Sequence, residues 1–553
     1  MKQTVLKIHP DDSVLVALID LEPGDRVYYD EATLLVTEAI PAKHKLAIHD
    51  LASGDAITMY GVLVGQAKQL IPAGGRLTTF NVIHATNRFD VHRSTYSWTP
   101  PAVDQWQHRS FMGYHRSDGR VGTANYWLVV PLVFCENRNI EVLQTALIDD
   151  LGYGRHRSYQ HQTRELMAMV QAGRTVEDVL RADLEPTEQS SDSRRPLRLF
   201  PNVDGVKFLT HEGGCGGTRQ DAQALCGLLA GYITHPNVAG ATVLSLGCQN
   251  AQVGLLQDAI GERDPHFDKP LFVLEQQTIG TEESLISQAL RQTFAGLMQA
   301  NACVRQPAPL SKLTIGLECG GSDGFSGISA NPALGHASDL LVALGGTVIL
   351  AEFPELCGVE QELCDRSVDA ETAGRFRDLM TTYAQRAREA GSGFDMNPSP
   401  GNIRDGLITD AMKSAGASKK GGTSPVVAVL DYPELVTKPG LNLLCTPGND
   451  VESTTAEVAS GATVVLFTTG LGTPTGNPIA PVVKIASNTT LANRMPDIID
   501  INTGTIIDGD ETIQQAGERL LEQIIGVASG IIDVAAVRHG QDDFIPWKRG
   551  VSL

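Results

Sequence analysis

What most restricts the fold of this chain is a texture that begins near residue 110, where strand-length apolar runs alternate with stretches of helical period. The runs lie at 126–133, 206–210, 241–246, 313–317, 347–351, 425–430, 441–445 and 462–467, and the helical stretches between them include 221–233 and 370–390. Strands separated by helix-length segments cannot pair as tight hairpins, so they are expected to lie parallel with helices on their faces. The chain is therefore predicted to be α/β from there on. Residues 1–95 read differently: SVLVALIDL, ATLLVTEAI, AITMYGVLVGQA and GRLTTFNVIH alternate in apolar and polar steps, and Gly24, Gly54, Gly61, Gly65, Gly74 and Gly75 punctuate them at turn spacing. That predicts a small β-rich domain. Residues 96–112, with Trp98, Pro100, Pro101 and Trp106, read as a linker lying on another domain, and 113–305 and 306–553 as two α/β domains.

Charge and composition exclude several functions. A net charge of −20 and a pI near 5.1 leave no basic footprint for nucleic acid or an anionic membrane. No apolar run approaches the roughly 20 residues that span a bilayer, and MKQTVLKIHPDD has no apolar core of signal-peptide type. A cytoplasmic protein with a small-molecule partner is expected. The nine cysteines, Cys135, Cys215, Cys226, Cys248, Cys303, Cys319, Cys357, Cys364 and Cys445, show no CxxC pair and read as reduced thiols. The polar, aperiodic stretch 183–198 reads as a surface loop.

The chemistry concentrates at strand ends. LTIGLECGGSDGFSGISANP (313–332) combines a strand, a thiol, a carboxylate and five glycines. The other runs end similarly, VKFLT at His211, ATVLSLG at Cys248 and TVILA at Glu352. In open α/β sheets ligands gather beyond the carboxyl ends of strands. Beyond His211 comes HEGGCGGTRQD, whose glycines admit close backbone approach and whose Cys215 is expected near a helix N-terminus, where a thiolate is stabilised. His211, Cys215, Cys248 and Cys319 together make a nitrogen-and-sulfur donor set suited to iron or zinc rather than magnesium. Three cysteines could equally hold an iron–sulfur cluster with one open iron. ESTTAE (452–457) and TTGLGTPTGNP (468–478) also follow strand ends and offer hydroxyls and glycines to a polyhydroxylated ligand. No GxxxxGK[ST] or GxGxxG nucleotide motif occurs.

These stretches carry a family resemblance. GYHRSDGRVGTAN (113–125), HEGGCGG, HPNVAGATVLSLGC (235–248), ECGGSDGFSGISANP and EFPELCGVE (352–360) fall in the order found in the altronate/galactarate dehydratases, which the chain resembles over nearly its whole length. The resemblance implies an N-terminal SAF (β-clip-like) domain, a large multi-lobed α/β catalytic region and an iron(II)-dependent dehydration of a hexonate or hexarate. Mn(2+), another divalent metal and an iron–sulfur cluster stand as alternative cofactors. MYGVLVGQA and GTANYWLVVPLVFCENRN resemble the altronate branch. With it go a metal set of His211, Cys215, Cys248 and Cys319, catalytic His211, Lys419, Lys420 and Glu355, and substrate-binding Arg116, Asp118, Arg120, Asn125, Ser322, Asp323 and Asn331.

Dehydrating a 2,3-dihydroxy carboxylate means removing a weakly acidic C2 proton while a poor leaving group departs from C3. Both call for positive charge and a base near neutral pKa. His211 serves as ligand or base, with Lys413, Lys419 and Lys420 in DAMKSAGASKKGGTSP as alternatives, and Arg138 joins Arg116 and Arg120 as a candidate anion binder. The chain departs from many relatives at Met59, at Thr78–Asn81 and at Ala124, where Lys, a His-rich segment and Arg are common. The small domain is accordingly expected to cap the site or mediate assembly into a homo-oligomer, with His44, His49 and His84 as the counter-candidates for a proton carrier. Galactarate or a related aldarate or sulfonate is the alternative substrate. A metal- or thiol-using sugar-binding or redox protein is the alternative class.

Overall fold

The structure, a computed structural model, describes residues 3–30, 32–91, 96–154, 158–184, 198–550 and 552. Residues 92–95 at the expected first boundary and 185–197 of the expected surface loop lie outside the described residues.

The N-terminal region is antiparallel β throughout. Val5–Leu6, Val14–Ala17 and Lys45–Ala47 form one sheet, Arg26–Tyr29 pairs with Ala32–Leu35, and Ala56–Met59, Val62–Ala67 and Val82–Ile83 form another. Val14–Ala17 is buried on both faces because successive side chains point opposite ways. Leu15 and Ala17 enter the small domain's own core, while Val14 and Val16 enter the core of the C-terminal region. The small domain is thus packed onto the body of the protein.

Two parallel sheets carry the rest. The first runs in the order Gly205–Phe208, Tyr126–Pro131, Val238–Ser245, Leu271–Glu275. The second has seven strands in the order Val426–Leu430, Gly440–Leu444, Thr347–Leu350, Thr314–Cys319, Val464–Thr469, Val482–Ala486, Ile501–Asn502, all pairs parallel. Thr314–Cys319 is its central strand. From there the chain passes to Thr347–Leu350 on one side and later returns to Val464–Thr469 on the other, so the winding reverses at this strand. Such a reversal opens a crevice at the carboxyl edge of the sheet. A third, antiparallel sheet of Ser110–His115, Val121–Gly122 and Gln306–Pro309 ties residues before and after the first α/β unit together.

Every apolar run predicted as a strand is one, with ends moved by up to a few residues. Leu271–Glu275, Val482–Ala486 and Ile501–Asn502 were not predicted; the first and last are edge strands, and Ile501–Asn502 has only 2 residues. No helix among the described residues is long and apolar enough to cross a membrane.

Candidate functional site

The reversal point carries a compact polar centre. Cys319 ends the central strand, and Glu352 and Glu355 follow the neighbouring strand Thr347–Leu350. Cys319 Sγ lies 3.1 Å from Glu355 Oε2 and 3.5 Å from Glu352 Oε2. The Cys319 N–H also donates to Glu352 Oε2, at 3.2 Å. Glu352 is held in the left-handed region, at φ 62° and ψ 60°. A non-glycine residue there carries about 1–3 kcal/mol of strain. The turn is held by the Glu352 N–H donating to Thr446 Oγ1 (2.8 Å) and by the Glu355 N–H donating to Glu352 O (2.8 Å). Two lysines close the ring, Lys420 Nζ at 2.7 Å from Glu352 Oε2 and Lys413 Nζ at 2.6 Å from Glu355 Oε1.

The centre is buried, and its surroundings are acidic. Cys319, Glu352, Glu355 and Lys420 are all buried, together with Glu318, Asp410 and Glu457. Burial pushes the carboxyls of Glu318, Asp410 and Glu457 well above the ordinary range, and the neighbouring carboxylates push them further. Burial would raise Glu355 as well, but Lys413 and then Lys420 override it and hold the group below its usual value. Burial opposes the charge on both lysines, and the anionic groups around them outweigh it, so both stay protonated. At the rim, burial and then Glu352 and Glu355 push Asp450 up to about 7.

Whether this set suits a metal can be tested on its own atoms. Among the described residues, Cys319, Glu352 and Glu355 are the one group of three or more His, Cys, Asp or Glu whose ligand atoms lie within 4.8 Å of one another. Glu352 Oε1, both Asp410 oxygens and Glu457 Oε2 are buried without a hydrogen-bond partner. A cation beside Glu352 Oε1 would supply the partner that this oxygen lacks. One thiol and two carboxylates combine soft and hard donors, which suits a borderline transition ion better than magnesium or calcium. The donors fit a divalent metal.

Comparison with known proteins finds matches over nearly the whole chain. The family model described as "Altronate/galactarate dehydratase SAF domain" matches residues 3–85. "D-galactarate dehydratase/Altronate hydrolase, second domain" matches 113–301, and "D-galactarate/Altronate dehydratase, C-terminal" matches 310–552. The chain is 33% identical to the altronate dehydratase of Bacillus subtilis (strain 168), over 100% of both chains. It is 35% identical to that of Escherichia coli (strain K12), over 99% of both. With the galactarate dehydratase (L-threo-forming) of Escherichia coli (strain K12) it shares 32% identity over 95% of this chain and 92% of that one. The chain belongs to the D-galactarate/altronate dehydratase family. It is a sugar-acid dehydratase, a hydro-lyase, and its small β-rich domain is the SAF domain of that family.

Set against the dehydratase framework, the residues singled out in the sequence separate into groups. Cys319, Glu355 and Lys420 meet in the buried centre, whereas Lys419 lies outside it, 3.4 Å from Glu362. His211, Cys215, Cys248 and Cys319 do not come together as one ligand set. His211, Cys215 and Cys248 follow strands of the four-stranded sheet, while Cys319 ends a strand of the seven-stranded one. Nor is His211 free to ligate, because Nε2–H donates to Pro131 O (2.8 Å) and Nδ1 accepts from the Gly213 N–H (3.1 Å). Burial lowers its pKa, in keeping with this neutral tautomer.

Arg116, Asp118, Arg120 and Asn125 precede Tyr126–Pro131 and so sit at the amino edge of the four-stranded sheet. There Arg116 bonds Pro236 O and Asn125, Arg120 bonds Asp118 and Thr234 O, and Asn125 donates to Asn202 O and Ala300 O. Arg138 pairs with Glu282 on the surface. Ser322 O accepts from Asn402, and Asn331 links Gly416 O to Thr468.

Asp323 has a different setting. It accepts from Ser326, Ser487 and Asn488, and Lys43 of the SAF domain reaches it at 3.0 Å while also pairing with Asp405 at 3.0 Å. A cavity of about 650 Å³ opens beside this junction, lined by Lys43, Phe325, Arg404, Asn488, Thr489 and Arg494 among others. His44 is occupied, Nε2–H donating to Arg404 O (3.0 Å) and Nδ1 accepting from Arg76 (3.1 Å). Burial and then Arg76 lower its pKa to about 4. Sequence reasoning passed over Lys43 and Asp450, and took ECGGSDG and ESTTAE as site-like stretches without singling out Glu318 or Glu457 within them. The polar GND that follows the strand 441–445 was the available signal for Asp450, but Lys43 in IPAKHKLAI offered none beyond its charge.

Proposed function

We propose that this dehydratase converts altronate to 2-dehydro-3-deoxygluconate and water at the Cys319, Glu352 and Glu355 centre, with ferrous iron as its metal. The observation that carries the reading is the placement of that donor set at the winding reversal, beside two protonated lysines and a carboxyl with a near-neutral pKa. A divalent ion held by Cys319, Glu352 and Glu355 supplies Lewis acidity toward carboxylate and hydroxyl oxygens. Asp450, raised to about 7, is matched to removing the C2 proton. The same carboxyl can return that proton to the departing C3 oxygen, so water leaves and the chain ends the turnover in its starting state. Lys413 and Lys420 are held too firmly protonated to act as acids, and their contribution is fixed positive charge facing the developing enediolate. The enol then tautomerises to the 2-keto-3-deoxy acid.

Arg404, Arg494 and Lys43, beside Asn488 and Thr489 in the neighbouring cavity, offer cations for a carboxylate and amide or hydroxyl groups for a polyol chain. Full-length relatives named for altronate support altronate, and the relative named for galactarate supports that aldarate as the second reading. A cytoplasmic setting accords with nine free cysteines. The test is anaerobic turnover of altronate and of galactarate, each with ferrous iron, following the 2-oxo-3-deoxy product. Faster product formation from altronate is expected. Galactarate turning over faster would reverse the assignment, and binding without turnover of either would favour a sugar-binding protein.

A further inference from the structure

We propose that Cys135, Cys215 and Cys248 form a three-thiolate site for an iron–sulfur cluster at the carboxyl edge of the four-stranded sheet, separate from the Cys319 centre. The first observation is a partition by exposure. These three are the exposed cysteines of the chain, and the other six are buried or half-buried. A free cysteine is ordinarily among the most buried of residues, so three exposed ones at a single sheet edge are not explained by packing.

Topology then gathers them. Tyr126–Pro131 is flanked directly by Gly205–Phe208 and Val238–Ser245, and Cys135, Cys215 and Cys248 sit in the segments that leave these three strands. Backbone bonds fasten the segments together. The Phe134 N–H donates to Gly213 O (3.0 Å) and the Ala251 N–H to Gly214 O (3.0 Å). Gly214, at φ +96°, passes so near Leu132 that a Cβ there would lie 2.4 Å from Leu132 O, so glycine is required for the approach. The two bonds of His211 join the end of the Tyr126–Pro131 strand to Gly213 and fix the loop that carries Cys215. His211 is therefore a positioning residue for the thiols rather than a ligand.

The three sulfurs are not drawn together as a single ion would hold them. The three do not all lie within 4.8 Å of one another. A tetrahedral zinc with Zn–S bonds of about 2.3 Å holds its thiolates about 4 Å apart. In a cluster each thiolate binds a different iron, so the sulfurs stand wider. The surroundings suit thiolates as well. The helices Asn137–Leu147, Arg219–Thr234 and Val253–Arg263 begin two to five residues after the respective cysteines, and Gln277 Nε2 donates to Cys248 Sγ at 3.2 Å. Helix N-termini stabilise thiolates, and hydrogen bonds to sulfur tune a cluster's potential. With three protein thiolates on a four-iron cluster, one iron is left for a small oxygen ligand.

The inference does not depend on which sugar acid is the substrate. It is tested on the full chain, purified anaerobically and incubated with ferric iron, sulfide and a thiol reductant, by acid-labile sulfide, iron content and the visible absorption of the protein. Bound sulfide with a visible band is expected, lost to background in Cys135→Ser, Cys215→Ser and Cys248→Ser and unchanged in Cys303→Ser. Circular dichroism establishes that each variant is folded. A measurement that needs no variant stands beside it: reconstitution should protect Cys135, Cys215 and Cys248 from alkylation, as read by peptide mass spectrometry. Absence of labile sulfide, iron or zinc bound without sulfide, a cluster surviving Cys215→Ser, or equal alkylation before and after reconstitution would each overturn the proposal.

Discussion

The two parallel sheets of this dehydratase both end in ligand-competent side chains, but they set those side chains in opposite environments. At the seven-stranded sheet, Cys319, Glu352 and Glu355 are buried, and the two carboxylates are paired at contact distance, Glu355 with Lys413 and Glu352 with Lys420. At the four-stranded sheet, Cys135, Cys215 and Cys248 are exposed, and backbone bonds and one neutral histidine hold their loops. The difference teaches what burial demands. A buried carboxylate must be paired or protonated, so a buried site brings its own counter-charges and displaced pKa values. An exposed site needs neither, and is organised by loop geometry alone.

The largest effect that tests this contrast is metal removal. Exhaustive chelation should abolish turnover of altronate, with ferrous iron restoring it; full activity after chelation would remove the metal from the mechanism. Next in size is Asp450→Asn, expected to lower kcat by about 100-fold to 10,000-fold, the span of a lost general base. Asp450 acts in its deprotonated form; burial, Glu352 and Glu355 raise it to about 7 in the metal-free centre and a bound cation lowers it, so kcat/KM should rise with pH along an acid limb at or below about pH 7 and level off above it. That acid limb should vanish in the variant, and its persistence would assign the base elsewhere.

Lys420→Met leaves Glu352 buried and unpaired, and should destabilise the metal-free protein by about 3–5 kcal/mol in denaturant titration. A loss below about 1 kcal/mol would mean that Glu352 is already protonated and that the pair carries little charge. The smallest effect is at the other sheet. His211→Gln removes the ties to Pro131 and Gly213, and should cost about 1–3 kcal/mol in the same titration. A fall in kcat as large as that of Asp450→Asn would instead restore His211 to the chemistry.

Much of the fold was legible because its signals are local. Period-two and helical patterns placed the strands at 126–133, 313–317 and 347–351 and separated the SAF domain from the α/β body. Three strands of the two parallel sheets escaped, two of them short or solvent-facing edges, where burial leaves little apolar pattern to read. In the site, Cys319, Glu355 and Lys420 were legible as polar residues at a strand end or in a glycine-bearing loop. Lys43 was not, since its partners Asp323 and Asp405 lie hundreds of residues away and only domain packing brings them together.

The sequence by itself determined that strands would alternate with helices, that several would end in a thiol, an imidazole or a carboxylate, and that glycines would follow them. Only the tertiary structure decided which strand ends share an edge. His211, Cys215 and Cys248 fall on one sheet, and Cys319 and Glu352 on the other. The reason is physical: periodicity records which face of an element is buried, whereas the order of strands within a sheet follows from crossovers and long-range packing, which leave no local pattern in the chain.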